Sequence, residues 1–179
     1  ELLAVSKGQL KVEEIPLNFR SRQAGDSKLD NAVVWDWLVS LVHTATFRLL
    51  PRRAVSFGLV GLSGMVVHVG LYALLRSLGA SFFATQVVAV ITAACSNYLI
   101  NNSLTFRSRR LRGRSLFIGL LKFLLVSSLG MAANVGVSTV VFASLQGGPI
   151  AVIAVASGIL VDFIWKYAAS SRFVWNVPY

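Results

Sequence analysis

Acidic side chains are scarce in this 179-residue chain, where seven Asp and Glu stand against seventeen Lys and Arg and charged residues make up only 13% of the total. With 55% of its residues hydrophobic, the chain exceeds ordinary soluble usage, and the surplus of apolar side chains points to lipid. Cysteine is nearly absent. Cys95 stands alone inside an apolar run, which excludes an intrachain disulfide and a cysteine-rich metal cluster. The residues from Glu1 onward hold no short apolar core followed by a cleavage site, so no signal peptide is expected, and the chain reads as a piece of something longer. A basic soluble face is missing too. The formal charge of +10 is gathered between apolar runs, which makes it a topology signal, and no nucleic-acid partner is expected.

What the chain does contain is four long apolar stretches: Ala54 to Leu75, Phe82 to Ile100, Leu116 to Leu145 with Lys122 near its start, and Pro149 to about Tyr167. Each can cross roughly 30 Å of hydrocarbon at about 1.5 Å per residue. Arg48, Arg52 and Arg53 precede the first stretch, Arg107, Arg109, Arg110, Arg112 and Arg114 separate the second from the third, and Arg172 follows the fourth. The other two connections hold one arginine, Arg76, and no charge at all. The positive-inside rule then places both chain ends and the arginine loop in the cytoplasm of a multi-pass protein, with the plasma membrane the expected site. The expected architecture is all-α, with four transmembrane helices at about 54–76, 82–103, 115–145 and 149–169.

The four stretches contain a repeat. FGLVGLSGMVVHVG (Phe57 to Gly70) matches FLLVSSLGMAANVG (Phe123 to Gly136) at seven of fourteen positions. SNYLINNSLTF and WKYAASSRFVW close the second and fourth stretches, with Tyr98 opposite Tyr167 and Phe106 opposite Trp175. The unit is a duplicated two-helix hairpin. Because the first and third stretches run in the same direction, the halves should be related by an axis along the membrane normal, a parallel duplication. Gly58, Gly61 and Gly64, echoed by Gly130, Ala133 and Gly136, would let helices approach closely where lipid offers no hydrophobic drive.

Ahead of the membrane, Val34, Trp37, Leu38, Leu41, Val42, Ala45 and Leu49 share one helical face between Asp30 and Leu50. Asp30 suits an N-cap and Pro51 follows the end, giving an amphipathic helix expected at 30–52, lying flat in the cytoplasmic interface. The whole divides into residues 1–29, a short strand or loop tail; 30–52, the interfacial helix; and 53–179, the membrane domain.

The membrane half resembles the GtrA-like family of small four-helix proteins associated with polyprenyl-linked sugars, through Phe57, Val60 and Gly61, through Asn97, Asn101 and Phe106 in SNYLINNSLTF, and through WKYAASSRFVW, where Lys166 replaces the family's usual Asn. The first thirty residues resemble the C-terminal end of the catalytic domain of polyprenol-phosphate (dolichol-phosphate) mannosyltransferases of glycosyltransferase family 2. The matching residues in VEEIPLNFRSRQAGDSKLD are Arg22, Gly25, Ser27 and Lys28. Together these resemblances imply the membrane-anchoring, acceptor-positioning part of an enzyme that moves mannose from GDP-mannose to polyprenyl phosphate. They imply a divalent metal, Mg or Mn, in a catalytic domain that this chain lacks. No cofactor, metal site or catalytic residue is expected in the chain itself, since it has no clustered Asp-x-Asp and thirty residues bury no core of their own.

Two groups of residues are candidates for binding. Arg20, Arg22, Ser27 and Lys28 offer a guanidinium fork, a point charge and a hydroxyl beside flexible Gly25, a set suited to phosphate. Within the membrane, ionisable side chains are costly enough to mark sites by default. Asp162 and Lys166, about 20 and 25 Å along the last helix from Pro149, can pair at i, i+4 near the inner interface. With Asn97 and Asn101 at similar depth they could instead ring a shallow polar pocket. His68 and Asn134 hold equivalent mid-helix positions and read as interhelical hydrogen-bond partners. The expected partners are the bilayer, polyprenyl phosphate and, through the absent domain, GDP-mannose, with homo-oligomerisation left open. The competing reading is a GtrA-like translocator of polyprenyl-phosphate sugars. A small multidrug exporter should carry an acidic residue in its first helix, and Ala54 to Leu75 has none.

Overall fold

In a computed structural model the described residues are 13, 15, 16, 30–144 and 150–178, with only the backbone at 151. The chain forms two compact units, Glu1–Pro51 and Arg52–Tyr179. The described secondary structure is helical throughout, with no strand among these residues. The short strand expected in the tail lies outside them.

In the first unit, α1 is Asn31–Ala45. Asp30 occupies the N-cap with extended backbone, but its carboxylate makes no cap bond; its carbonyl accepts from Val33 and Val34 N at 2.8 and 3.2 Å. The helix stops well before Pro51. Thr46 Oγ1 turns back to Val42 O at 2.9 Å, and Phe47 and Arg48 both take left-handed φ, 53° and 60°. Those two residues end the helix, so Leu49 does not continue the apolar face expected of it. Val34, Trp37, Leu38 and Leu41 are exposed along α1, and Val39 is buried.

The second unit holds four helices long and apolar enough to cross a membrane. They are α2 (Arg52–Ser77), α3 (Phe82–Ile100), α4 (Arg114–Ser144) and α5 (Ile150–Ala169). Their surfaces carry exposed Leu, Val, Ile and Phe along most of their length, the reverse of a soluble bundle and what lipid solvates without cost. α2 packs chiefly on α3 and α4 on α5. The sequence duplication is therefore a duplication of hairpins. The α2–α3 turn is tight because Gly79, at φ 83°, lets the chain reverse, Arg76 Nη1 donates to Ala80 O at 2.7 Å, and Ser81 caps α3 by accepting from Ala84 N.

Both hairpins close the same way. α3 ends in one wide turn of π-helix, Asn101–Thr105, and α5 in another, Ser170–Val174. Phe106 N reaches Asn101 O at 2.8 Å, and Trp175 N reaches Ser170 O at 3.1 Å. The extra residue in each turn swings the next aromatic ring into the bundle, where Phe106 and Trp175 stack with centroids 4.1 Å apart and planes 10° apart.

The contacts around that stack are mirrored. Phe57 meets Phe106 edge-on at 6.4 Å, as Phe123 meets Trp175 at 6.0 Å. Phe57 reaches across to Tyr167 at 5.8 Å, as Phe123 reaches across to Tyr98 at 5.6 Å. Such a pattern requires a twofold axis running between the two stacked rings, along the bundle. All of these residues but Tyr167, which is partly buried, form the buried core with Val174, at the end of the bundle that carries the arginine loop.

Because Trp175 is 2% exposed and stacks on residues of the other half, Trp175→Ala should remove about 3 kcal/mol or more of stability. Phe173, 62% exposed, supplies the control: Phe173→Ala should stay within about 0.5 kcal/mol of the parent. Denaturant titration of both variants in mixed micelles checks this, and equal losses would remove the stack from its central place.

Candidate functional site

Two of the polar positions between the helices are seated by glycine. In the first hairpin Gly64 of α2 faces Asn97 of α3 so closely that a Cβ would overlap the amide. In the second, Gly130 of α4 faces Asp162, Trp165 and Lys166 of α5, and a Cβ there would collide with the carboxylate. Gly64 and Gly130 hold the same place in the repeat, as do Asn97 and Lys166. Each hairpin thus uses one missing side chain to admit one polar group, and the second hairpin adds a counter-ion to the carboxylate it receives.

Lys166 Nζ donates to Asp162 Oδ2 at 2.7 Å, with side chains 26% and 19% exposed. The pair neutralises itself one helical turn apart. Trp165 Nε1 donates to Val126 O at 3.0 Å and pins α5 to α4 beside it. Asp162 Oδ1, Asn97 Oδ1 and Asn101 Oδ1 are buried without a hydrogen-bond partner. Of the four residues expected to ring a pocket, the structure joins Asp162 to Lys166, seats Asn97 against Gly64 in the other hairpin, and buries Asn101 at the start of the first π turn. Arg20, Arg22, Ser27 and Lys28 lie outside the described residues.

Deeper in the bundle, His68 Nε2 of α2 donates to Gln86 Oε1 of α3 at 3.4 Å. Its repeat counterpart Asn134 accepts from Ser138 Oγ on its own helix, also at 3.4 Å, with Gly158 of α5 packed against both. His68 bonds between helices as expected, whereas the bond of Asn134 stays within α4 and the residue meets α5 by packing against Gly158. Among the described residues no group of His, Cys, Asp and Glu is placed to hold a metal ion.

The loop end is organised by Asn102, a residue that the repeat alone does not single out. Its Nδ2 donates to Leu111 O at 3.1 Å, while its Oδ1 accepts from Leu111 N at 2.8 Å. The amide thereby imitates a neighbouring strand and clasps the arginine loop across nine residues. The same Oδ1 accepts from Trp175 Nε1 at 3.1 Å, which ties the closing residue of the second hairpin to the loop leaving the first. Tyr98 Oη, donating to Leu116 O at 2.7 Å, and Ser56 Oγ, 2.7 Å from Thr105 Oγ1, complete the frame. The adjacent Asn-Asn pair gave no clue to which amide turns inward to the loop; that is decided by the π turn. Chemically, this end offers a rigid, hydrogen-bonded frame with arginines around it.

The family described as GtrA/DPMS, transmembrane domain, matches residues 56–175. The chain is also 31% identical over 165 residues to the dolichol-phosphate mannosyltransferase of Pyrococcus furiosus, across 92% of its own length and 46% of that protein's. It spans about half the length of the curated relative it matches.

Two outcomes follow from this geometry. Asn102→Leu strands the loop backbone and the Trp175 N–H, and should cost about 2–3 kcal/mol. It should also speed tryptic cleavage at Arg107 to Arg112; an unchanged digestion pattern would show that the clasp does not hold the loop. For the ion pair, Lys166→Met alone leaves Asp162 uncompensated and should cost about 2–4 kcal/mol, whereas the double variant Asp162→Leu with Lys166→Met should cost less than that single change. A double-mutant cycle on thermal stability reads the difference.

Proposed function

The chain belongs to the GtrA/DPMS transmembrane-domain family, and from that premise we propose that it is the membrane part of a polyprenol-phosphate mannosyltransferase. The observation that carries the reading is the reach of the likeness to the Pyrococcus furiosus protein. An alignment of 165 residues extends beyond residues 56–175, so it takes in sequence ahead of the membrane helices. That segment holds the candidate phosphate ligands Arg20, Arg22, Ser27 and Lys28, and it would be the C-terminal end of a catalytic domain preceding this chain.

In this reading the polyprenyl phosphate is the nucleophile. One of its phosphate oxygens attacks the anomeric carbon of GDP-mannose, the bond from that carbon to the diphosphate breaks, and GDP leaves. A divalent metal, Mg or Mn, held by acidic residues of the preceding domain, would neutralise the departing diphosphate. The membrane part holds the acceptor where the donor arrives. Both chain ends and the arginine loop would face the cytoplasm of a plasma-membrane protein by the distribution of arginine, and the exposed apolar side chains of α1 would lie in the cytoplasmic interface. Asn97, Asn101, Asp162 and Lys166 remain candidates for a polar lining near that face.

Anchoring is preferred to translocation of a lipid-linked sugar because each spanning helix is continuous and the irregular turns lie together at the arginine-loop end. A pathway through the bilayer needs polar or broken segments at the midplane. Here the mid-bundle polar groups are engaged in packing.

The test is the full-length parent. Its reading frame should encode an Asp-x-Asp-bearing nucleotide domain ahead of Glu1, and membranes containing it should transfer labelled mannose from GDP-mannose to added polyprenyl phosphate. A frame that begins near Glu1, or membranes that use other sugar nucleotides and not GDP-mannose, would overturn the reading.

A further inference from the structure

The two hairpins share their aromatic frame almost ring for ring, since Phe57, Tyr98 and Phe106 of the first correspond to Phe123, Tyr167 and Trp175 of the second. A frame so alike cannot by itself tell one hairpin from the other. Apolar surface is equally blind, because lipid solvates it as well as a partner helix does. What distinguishes the halves is the set of facing positions at which the copies differ, and three such sets lie on the contact between them.

The first is a matter of volume. Phe163 of α5 lays its ring edge over Gly58 of α2, where a Cβ would stand 3.4 Å from Cε2 and 3.8 Å from Cζ. A methyl group would just touch the ring, and a larger side chain would overlap it. Phe163 is held in place 6.3 Å from Phe57 and stacked on Tyr167 with planes 10° apart. In the repeat, Leu124 of α4 corresponds to Gly58 and Ala94 of α3 to Phe163; both are half-buried, and the twofold axis sets them against each other. A large side chain therefore meets a small one on each side of the axis. Both large ones, Phe163 and Leu124, belong to the second hairpin, and both small ones, Gly58 and Ala94, to the first.

The second set is a hollow. Gly119 of α4 admits the Tyr98 hydroxyl of the first hairpin so closely that a Cβ would overlap it, and the residue in the same place on the first hairpin is Arg53. The third is a hydrogen bond across the axis, from Trp175 Nε1 of the second hairpin to Asn102 Oδ1 of the first at 3.1 Å. Its mirror image would run from Phe106, which has no ring N–H, to Ser171, whose hydroxyl is buried without a partner among the described residues.

Pairing a hairpin with a copy of itself breaks each of these. Two first hairpins would set Gly58 against Ala94 twice, leaving two hollows, bring Tyr98 onto Arg53, and offer Asn102 no donor. Two second hairpins would set Leu124 against Phe163 twice, an excess of volume that a packed interior absorbs only by straining. We propose that the contact face of each hairpin is an interaction surface whose partner is the opposite hairpin, and that it rejects a second copy of itself. Phe163 and Leu124 specify the pairing from one side, Gly58 and Ala94 from the other. Among copies of this chain in one membrane, a first hairpin pairs with a second hairpin and not with another first. The pairing rule is independent of any sugar transfer.

The experiment uses the 179-residue chain in neutral detergent micelles, with melting followed by circular dichroism. Gly58→Leu and Phe163→Ala should each lower the melting temperature by about 5 °C or more, the first by overlap and the second by a cavity. Combined, they set leucine against alanine, the arrangement on the other side of the axis, and should recover at least half of the larger loss. Gly61→Leu is the control, since nothing lies within 4 Å of a Cβ there, and it should melt no lower than the parent. Gly58→Leu with Ala94→Phe gives both hairpins large side chains at these positions, and should melt lower than Gly58→Leu alone. Adding Leu124→Gly and Phe163→Ala to that pair exchanges large for small completely between the hairpins, and should restore melting to within about 5 °C of the parent. Additive losses in the Gly58→Leu, Phe163→Ala double variant overturn the proposal. So does a fall with Gly61→Leu equal to that with Gly58→Leu, or a complete exchange that melts no higher than the chain with like halves.

Discussion

The stack of Phe106 on Trp175 is the contact on which the rest of the membrane unit depends. Apolar side chains gain nothing by leaving lipid for one another, so a bundle in a bilayer needs shape and polar bonds to choose one arrangement. Two hairpins with exposed aliphatic surfaces could slide past each other in many registers. The stacked rings, each swung inward by its own π turn, select one. Phe57, Tyr98, Phe123 and Tyr167 then meet in mirrored pairs around them, and aromatic pairs of this kind add about 0.5–1.5 kcal/mol each beyond the area they cover.

Within each hairpin a different rule applies. Gly64 and Gly130 bring helices close enough to enclose a polar group, and the two copies have diverged in what they enclose. The first admits a neutral amide. The second admits the Asp162 carboxylate, a charge that would be untenable in an apolar bundle were Lys166 not one turn away to pair with it. In the first copy an alanine, Ala93, precedes Asn97 by the same interval, and no counter-ion is needed there. The second copy thus carries a charged pair, Asp162 and Lys166, where the first has the neutral Ala93 and Asn97.

The four spans and the duplication were legible in the sequence because each leaves a signal of its own: apolar length for the spans, arginine placement for the links, and matched residues for the repeat. Correspondence is weaker than contact. Aligning Phe106 with Trp175 says that they are equivalent, and does not say that they touch on the axis. The Asn102 clasp was hidden for a similar reason, since its partners lie nine and seventy-three residues away and its neighbour Asn101 carries the same side chain. The end of α1 is not legible in the sequence because hydrophobic spacing continues to Leu49 after the backbone has turned left-handed at Phe47 and Arg48. Periodicity reports side-chain character and is blind to such a turn. The pairing of Asp162 with Lys166 was accessible from spacing alone, whereas their relation to Asn97 depended on how the hairpins face each other.

Trp175 is made after all four spanning segments, yet it stacks against Tyr98 and Phe106 and bonds to Asn102 in the first hairpin. The first half therefore enters the membrane with its central ring position vacant and its loop clasp lacking one partner. Membrane insertion and completion of the fold are thus separate events in time. The hairpins are threaded in order of synthesis, but the register between them is set only when the last aromatic residue emerges. A duplicated protein of this kind behaves like a buckle, whose two halves are formed independently and engaged in a single final step.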